Sequence, residues 1–146
     1  MADVHNTATR RYNMSKIKGT NTKPELLVRR YLHAKGLRYR LHNKNLPGKP
    51  DITLTKLQTV IFVNGCFWHG HEGCKYFVMP KTKSEWWQKK INETIKRDCK
   101  SVQNLKGLGW NSFVIWECEL KPEKRESSLR NLYDRVIKEK NYNNAK

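Results

Sequence analysis

The sequence predicts an α/β domain in which a mixed central sheet is flanked by helices. Two apolar runs rich in β-branched residues, at 60–63 and 113–115, are typical of buried strands. Stretches with apolar side chains at helical spacing precede, separate and follow these runs, so the predicted order is helix, strands, helix, strand, helix. That order is typical of a sheet covered by helices, and 146 residues are enough for one domain with its own core.

The first predicted helix begins at a capping box, in which Thr22 is followed by Pro24 in the first turn and then by Glu25. We expect this helix to run to about Lys35 and to end at Gly36. Glu25 has a structural explanation as the capping carboxylate, and a second role near an active site stays open. The predicted apolar face consists of Leu27, Tyr31 and Ala34, flanked by Leu26 and Leu32.

A short strand is predicted over 37–41, and a Pro/Gly turn then leads into a second strand that begins at Asp51. The run 60–63 is expected to pair beside it. A carboxylate held on a rigid sheet can bind Mg²⁺ against a phosphate, with the end of the neighbouring strand supplying a second oxygen. The alternative is an aspartate that caps its own turn, which is more common in general.

A long helix is predicted from Ser84, as its N-cap, to about Lys106. Adjacent helical positions face different ways, so only one of Trp86 and Trp87 is expected to face the core. A strand at 110–118 and a final amphipathic helix follow, and 141–146 is predicted to be a polar tail. The apolar positions are Trp87, Ile91, Ile95, Val102 and Leu105 in the long helix, and Leu129, Leu132, Tyr133, Val136 and Ile137 in the final one.

The charge of the chain predicts a polyanionic partner, with nucleic acid as the default. Lys and Arg number 30 against 13 Asp and Glu, which gives a net charge of +17 and a pI near 10.0. A membrane-surface binder would show a basic amphipathic helix, and none is seen. Apolar runs are too short to span a membrane and no secretory signal is present, so the expected location is the cytoplasm.

Residues 1–21 form a polar, basic segment that we interpret as an N-terminal arm. Such an arm can fold against a phosphate backbone or be disordered in the free protein, and the two alternatives stay open. Met14 is an isolated apolar residue within it. It is either a core anchor or a wedge that enters between bases.

Cysteine and histidine spacing predicts a metal site around the segment 64–74. Cys66, His71 and Cys74 lie on a short loop broken by glycines, a pattern that suits tetrahedral zinc when a fourth ligand comes from elsewhere. We choose Cys118, at the end of a later strand, as that ligand. A closed four-ligand site is structural, and the alternative is a set of unrelated reduced cysteines. Cys99 lies on a predicted helix and is interpreted as a free thiol.

His69 lies within this loop but does not share the spacing of the ligands. An imidazole there can act as general base or general acid, and the alternatives are a surface histidine or a substitute zinc ligand. Phe67 and Trp68 are expected to be exposed on so small a loop. Adjacent exposed aromatic side chains beside a charged site are typical of stacking surfaces.

Three segments carry a resemblance to a known family. They are Pro50-Asp51, the run from Val60 to His71 that contains Asn-Gly-Cys-Phe-Trp-His, and the later Ile-Trp-Glu-Cys-Glu at 115–119. Together they resemble the very short patch repair endonucleases, the bacterial Vsr-type enzymes that nick DNA beside a T:G mismatch. The similarity covers nearly the whole chain, including Met1–His5 and Asn13-Met14.

The resemblance implies a restriction-endonuclease-like fold with a structural zinc. By position, Asp51 would bind the catalytic Mg²⁺ ions, two in number, and the backbone carbonyl of Val63 would be a further ligand. His69 would activate the attacking water, and Glu25 would support the water network around the metal. The implied zinc ligands are Cys66, His71, Cys74 and Cys118.

The same resemblance implies how DNA is engaged. Phe67, Trp68 and Trp87 would enter the duplex from the major groove, while Met14 approaches from the minor groove. The implied partner is double-stranded DNA with a T:G mismatch, with mismatch-repair proteins as further candidates, and the expected state is a monomer near the nucleoid. The domain division is then a DNA-contacting arm at 1–21, an endonuclease domain at 22–140 and the tail at 141–146.

Two positions depart from the family pattern. Asn64 stands where some members carry a second active-site histidine, and asparagine can orient a water or phosphate but cannot titrate. Thr94 stands where an asparagine that reads the mismatch is expected, although Lys90 fits the expected lysine. Two alternatives to mismatch nicking therefore stay open: a Vsr-like restriction endonuclease that cuts both strands of matched DNA, and a non-catalytic DNA-binding module held by zinc.

Overall fold

A computed structural model describes residues 22–145, with side chains up to residue 138. The proposed arm at 1–21, and with it Met14, lies outside the described residues. Within the described part, four strands form one sheet in chain order, and the predicted mixed α/β architecture is confirmed. The strands are β1 (Arg40–Leu41), β2 (Ile52–Leu54), β3 (Thr59–Asn64) and β4 (Asn111–Trp116).

The type of strand pairing changes once across this sheet. The pairs β1/β2 and β2/β3 are antiparallel, whereas β3 and β4 are parallel, with Asn64 opposite Trp116 at their common end. Parallel neighbours need a long crossover, and helix α2 (Ser84–Gly107) supplies it. The ends of β3 and β4 therefore lie side by side, and the residues that follow them meet at one edge of the sheet.

Helix α1 (Lys23–Ala34) begins and ends where the sequence predicts. The Thr22 hydroxyl accepts a hydrogen bond from the Glu25 N–H at 3.3 Å, and Gly36 adopts a φ of +88° just after the helix. The predicted apolar face is confirmed at Leu27, Tyr31 and Leu32, which lie in or against the core, and is wrong at Ala34, which is exposed. The prediction also omitted Val28 and Glu25, which are buried. Apolar spacing alone misses a face that includes a carboxylate.

Two helices cover one face of the sheet. Helices α1 and α3 (Arg125–Ala145) pack on this face, and α3 continues through the segment predicted as a polar tail up to residue 145. Strand β1 is shorter than the predicted 37–41. None of the helices in the described chain is long and apolar enough to cross a membrane. The core on this face consists of Val28, Leu32, Ile52, Leu54, Ile61, Ile115, Leu120, Leu129, Leu132 and Val136.

Helix α2 lies on the other face, where a Cβ added at Gly48 would lie 2.9 Å from Ser101 of α2 and 3.1 Å from Phe62 of β3. The helix is capped by Lys83, with a φ of +56° and no side-chain hydrogen bond, so the prediction of Ser84 as N-cap is wrong. Ile91 and Leu105 are buried, whereas the predicted core positions Ile95 and Val102 are 37% and 36% exposed. The apolar face predicted for α2 is thus only partly buried.

Candidate active site and thiol–imidazole cluster

The start of β2 and the end of β3 meet at a cavity of about 260 Å³. Antiparallel pairing sets Asp51 beside Val63, whose N–H donates to the Asp51 carboxylate at 2.7 Å. This cavity brings together five residues that the sequence singles out, on α1, β2, β3 and the following loop. They are Glu25, Asp51, Val63, Asn64 and His69, and the wall is completed by Thr22, Pro24, Gly65, Trp68 and Glu117.

Burial dominates the electrostatics of Asp51. It raises the pKa of the carboxyl from its ordinary value of 3.8 to about 6. The hydrogen bond from the Val63 N–H lowers the pKa, the charge of Glu25 raises it, and His42 and His69 lower it. A buried carboxylate with another carboxylate nearby favours a cation between them, because the cation stabilises both ionised forms.

Glu25 does more than close the helix cap. Its side chain is almost fully buried, and its carboxylate turns into the site, where Arg29 donates to one oxygen at 3.1 Å. The Nε2 atom of His42 lies 3.0 and 2.9 Å from the two oxygens. Ligand atoms of Glu25, His42 and Asp51 all lie within 4.8 Å of one another. Sequence reasoning missed His42, which follows a short strand without any motif.

His69 is oriented by a partner that the sequence analysis also missed. Its Nδ1 lies 2.7 Å from a carboxylate oxygen of Asp98 on α2, so Nε2 is the ring nitrogen left for the cavity. A signal was available: Asp98 falls at helical spacing among Ile91, Ile95 and Val102, and a carboxylate inside an apolar stripe needs a partner.

The loop that carries His69 is packed tightly against α2. Gly70 has a φ of +60°, and a Cβ there would lie 2.8 Å from side-chain carbons of both Ile91 and Ile95. Backbone hydrogen bonds close the loop on itself, from His69 N–H to the Gly65 carbonyl at 3.2 Å and from Gly70 N–H to the Phe67 carbonyl at 3.2 Å. Hence the imidazole is held by both side chain and backbone.

The predicted zinc ligands form one cluster next to this loop. Ligand atoms of Cys66, His71, Cys74 and Cys118 lie within 4.8 Å of one another, so the group is able to hold a metal ion. Cys118 was predicted at the end of the strand, but it lies in the 3-10 turn Glu117–Leu120 that follows β4. Its N–H donates to the Cys66 sulfur at 3.3 Å, and its own sulfur lies 3.5 Å from Nδ1 of His71.

Burial raises the pKa of the Cys66 thiol to about 12 and also raises the pKa of Cys118. At Cys74 burial acts in the same direction, but hydrogen bonds, including one from the Tyr76 N–H, bring its pKa below the ordinary value. Trp116 stacks on His71, with ring centroids 4.0 Å apart and planes 4° from parallel. Sequence reasoning did not assign this tryptophan, which fixes the imidazole toward the three sulfurs.

An aromatic cluster lies on the outer side of the loop. The Phe67 ring centroid is 5.2 Å from that of Trp68 and 5.3 Å from that of Trp87, so these three predicted residues are brought together. Trp86 is 53% exposed and Trp87 is half-buried, which confirms that only one of the pair turns inward. Lys90 lies at the margin, with its ammonium 5.9 Å from the Trp86 ring.

Thr94 is occupied within its own helix. Its hydroxyl donates to the carbonyl of Lys90 at 3.1 Å, the usual back-bond of a helical threonine. An asparagine at this position would project a free amide instead. The Thr94 hydroxyl already has a hydrogen-bond partner within the helix, and this is the physical difference from the asparagine of the family pattern.

Comparison with known proteins assigns the chain to a family. A sequence profile described as DNA mismatch endonuclease Vsr matches residues 2–75, which is 74 of the 146 residues and includes Glu25, Asp51 and His69. The chain belongs to the Vsr family. As a Vsr-family member it is a DNA endonuclease, an enzyme that hydrolyses phosphodiester bonds in DNA.

Relatives of the Vsr type are similar over most of their length. The type II nicking enzyme V.XorIIP of Xanthomonas oryzae is 43% identical over 135 residues, covering 92% of this chain and 98% of that enzyme. The type II nicking enzyme V.NmeAIP of Neisseria meningitidis is 41% identical over 139 residues, or 95% and 96% of the two chains. The DNA mismatch endonuclease Vsr of Escherichia coli is 40% identical over 121 residues, or 83% and 77%.

Proposed function

We propose that the protein is a Mg²⁺-dependent endonuclease that nicks one strand of double-stranded DNA beside a T:G mismatch, in very short patch repair of deaminated 5-methylcytosine. The observation that carries the proposal is that Asp51 and His69 line the same cavity. In this cavity a carboxylate that can bind a cation faces the same space as an imidazole that can accept a proton. The names of the relatives, mismatch endonuclease and nicking enzyme, agree with single-strand cutting.

The donor set of the cavity fits Mg²⁺, which takes oxygen ligands and keeps several waters. Asp51 would hold the ions, two in number, with the backbone carbonyl of Val63 as a further ligand and Glu25 supporting the surrounding waters. The rise in the Asp51 pKa supports this, because a buried carboxylate without a cation is costly to ionise. When bound, the ions stabilise the charge on the attacking and leaving oxygens of the phosphodiester.

Proton transfer is proposed for His69. Its Nε2 would accept the proton of the attacking water, and Asp98, bonded to Nδ1, would fix the ring and its tautomer. Asn64 is 7% exposed at the end of β3 and lines the same cavity. Its amide is suited to orienting a water or a phosphate oxygen, whereas proton transfer rests on the imidazole.

We assign zinc to the cluster of Cys66, His71, Cys74 and Cys118. Three sulfurs and one imidazole nitrogen form a donor set typical of tetrahedral structural zinc. The proposed role is to hold the loop between Cys66 and His71, on which His69 lies. A restriction-endonuclease-like fold is part of the same proposal, supported by a mixed sheet that carries its acidic residue at the start of one strand.

Mismatch selection is assigned to the aromatic cluster. Phe67, Trp68 and Trp87 would enter from the major groove, with Lys90 beside them and Met14 of the arm on the minor-groove side. Mispaired bases are less costly to unstack than paired ones, so an inserted side chain converts weak pairing into preference. We further propose that the enzyme acts as a monomer in the cytoplasm, at the nucleoid, with mismatch-repair proteins as partners.

The test uses duplexes in which each strand carries its own end label. One set contains a T:G pair, the other a matched pair at the same position, and the flanking bases are randomised to cover any preferred context. We expect Mg²⁺-dependent cutting of one strand, next to the T:G pair only. Asp51→Asn should be inactive, while Asp134→Asn, at an exposed position on α3, should cut normally.

Two other outcomes would overturn the proposal. Cuts in both strands of matched DNA would identify a restriction endonuclease, the second candidate, which the departure at Thr94 favours because that position is expected to read the mismatch. Binding of the duplex without any cleavage would identify a non-catalytic DNA-binding module.

A further inference from the structure

We propose that His42 supplies a nitrogen ligand, its Nε2 atom, to the metal site beside Glu25 and Asp51, and that this nitrogen raises the affinity of the site for Mn²⁺ more than its affinity for Mg²⁺. The inference rests on the proposed metal-dependent function of the same cavity. It adds a ligand that the sequence analysis did not assign and a metal preference that this ligand would set.

The spacing of the ligand atoms supports the assignment. Two atoms that bind one ion at about 2.1 Å and at a right angle lie about 3 Å apart. The Nε2 atom of His42 lies 3.0 and 2.9 Å from the carboxylate oxygens of Glu25, and all three residues offer ligand atoms within 4.8 Å of one another. The spacing is thus compatible with one small ion shared by His42, Glu25 and Asp51, and equally with a direct hydrogen bond between His42 and Glu25.

The backbone of His42 fixes this position. Its N–H donates to the Asp51 carbonyl at 3.1 Å, which ties the proposed ligand directly to the residue immediately before β2. Its φ of +49° lies in the left-handed region, where histidine is uncommon. Arg29 also donates to Oε2 of Glu25, so the carboxylate is held while the imidazole lies against it.

Ligand chemistry then sets the metal preference. Mg²⁺ favours oxygen ligands almost exclusively, whereas first-row transition ions also bind imidazole nitrogen. Mn²⁺ is the weakest binder among the divalent first-row ions. The effect of the imidazole on Mn²⁺ affinity is therefore a lower limit for its effect on the other ions of the series. If His42 only forms a hydrogen bond to Glu25, removing its imidazole should change the affinities for Mn²⁺ and Mg²⁺ by the same factor, and this difference makes the proposal testable.

The experiment titrates the full chain, first loaded with zinc and freed of excess metal, with MnCl₂ and separately with MgCl₂ in a calorimeter. His42→Gln keeps an amide that can bond to Glu25 but removes the imidazole. We expect its Mn²⁺ affinity to fall by about tenfold or more, the range seen when groups around a metal are altered, while Mg²⁺ affinity changes by less than about twofold. His33→Gln, at an exposed position on α1, is the matched control and should bind both ions normally.

Electron paramagnetic resonance of bound Mn²⁺ distinguishes a His42 that binds the ion from a His42 that only positions Glu25. Bound Mn²⁺ should show nitrogen hyperfine coupling in the wild type and in His33→Gln, and this coupling should be lost in His42→Gln. His42→Asn is the second variant, because asparagine tolerates the left-handed backbone and is too short to reach the ion. It keeps the test valid if the glutamine variant folds poorly.

The outcomes distinguish this proposal from the proposed function. Unchanged Mn²⁺ affinity and unchanged coupling in both His42 variants would overturn the ligand assignment, even in an enzyme that nicks T:G duplexes. Loss of coupling in the variants would uphold the assignment, even if the wild type failed to nick mismatched DNA.

Discussion

At the scale of single residues, the site depends on carboxylates that are buried before any cation arrives. Asp51 is the clearest case, since burial raises its pKa to about 6. The sign of its effect on stability follows from that direction. The folded state prefers the protonated form, so stability present at low pH is lost as the pH rises through about 6.

Asp51→Asn tests this linkage in zinc-loaded protein without Mg²⁺ or Mn²⁺. Asparagine stays neutral at every pH and can still accept a hydrogen bond from the Val63 N–H. The stability of the variant relative to the wild type should therefore increase as the pH rises. We expect the difference in unfolding free energy to grow by about 1 kcal/mol between pH 5 and pH 8, measured by urea denaturation. Asp134→Asn should show no such growth. A difference that stays constant with pH would contradict the assigned burial effect.

Sequence reasoning found the residues whose spacing is local and missed those whose partners are distant. Asp51 follows a proline just before a strand, and Cys66, His71 and Cys74 share one loop, so their patterns are visible in the chain. His42 has no local signal, because its partner Glu25 lies on another element and only the fold brings them together. Its importance is therefore apparent only in three dimensions.

At the scale of elements, the loop between β3 and α2 connects the two candidate metal sites. His69 lies between Cys66 and His71, and the turn that follows β4 delivers Cys118 from the parallel neighbour. The strands and helices were predicted with the right order and type, since their apolar periods are strong. The predicted N-cap of α2 was wrong, because Lys83 takes that position through its backbone conformation and without a side-chain hydrogen bond. The predicted face of α1 was incomplete, because it left out Val28 and the buried carboxylate of Glu25.

Cys118→Ser tests whether the cluster holds a structural metal. The wild type should contain one zinc per chain, and the variant should lose it together with about 3 kcal/mol or more of unfolding free energy, because structural zinc contributes folding energy directly. Metal content is read by mass spectrometry and stability by thermal unfolding. Cys99→Ser removes an exposed thiol on α2 and should change neither quantity. Equal metal content in both variants would exclude Cys118 as a ligand.

At the scale of the whole molecule, we propose that the net charge and the aromatic cluster have different roles in binding DNA. The net charge of +17 attracts phosphates of any sequence, whereas Phe67, Trp68 and Trp87 form one local cluster beside the candidate active site. The excess of basic residues is visible in composition. The aromatic cluster is not, since Trp87 comes to Phe67 from a different element.

Salt should therefore separate affinity from selectivity. If six to ten phosphates are neutralised, affinity for any duplex should fall by roughly 10³-fold or more between 50 and 200 mM salt. The ratio of affinities for T:G and matched duplexes should stay nearly constant, because unstacking and wedge insertion involve no counterion release. Fluorescence anisotropy over a salt series measures both. A ratio that collapses with salt would assign mismatch preference to charge instead.

The parallel pairing of β3 with β4 also bears on the order in which the enzyme matures. These strands are separated in the chain by the whole of α2, and contacts between distant segments form late because a long loop must close first. Cys118 follows β4 and meets its three companions only after that closure. During synthesis on a ribosome, the loop that carries His69 would lack its contact with Cys118 until β4 had emerged. We therefore expect an unfinished chain to be inactive as a nuclease.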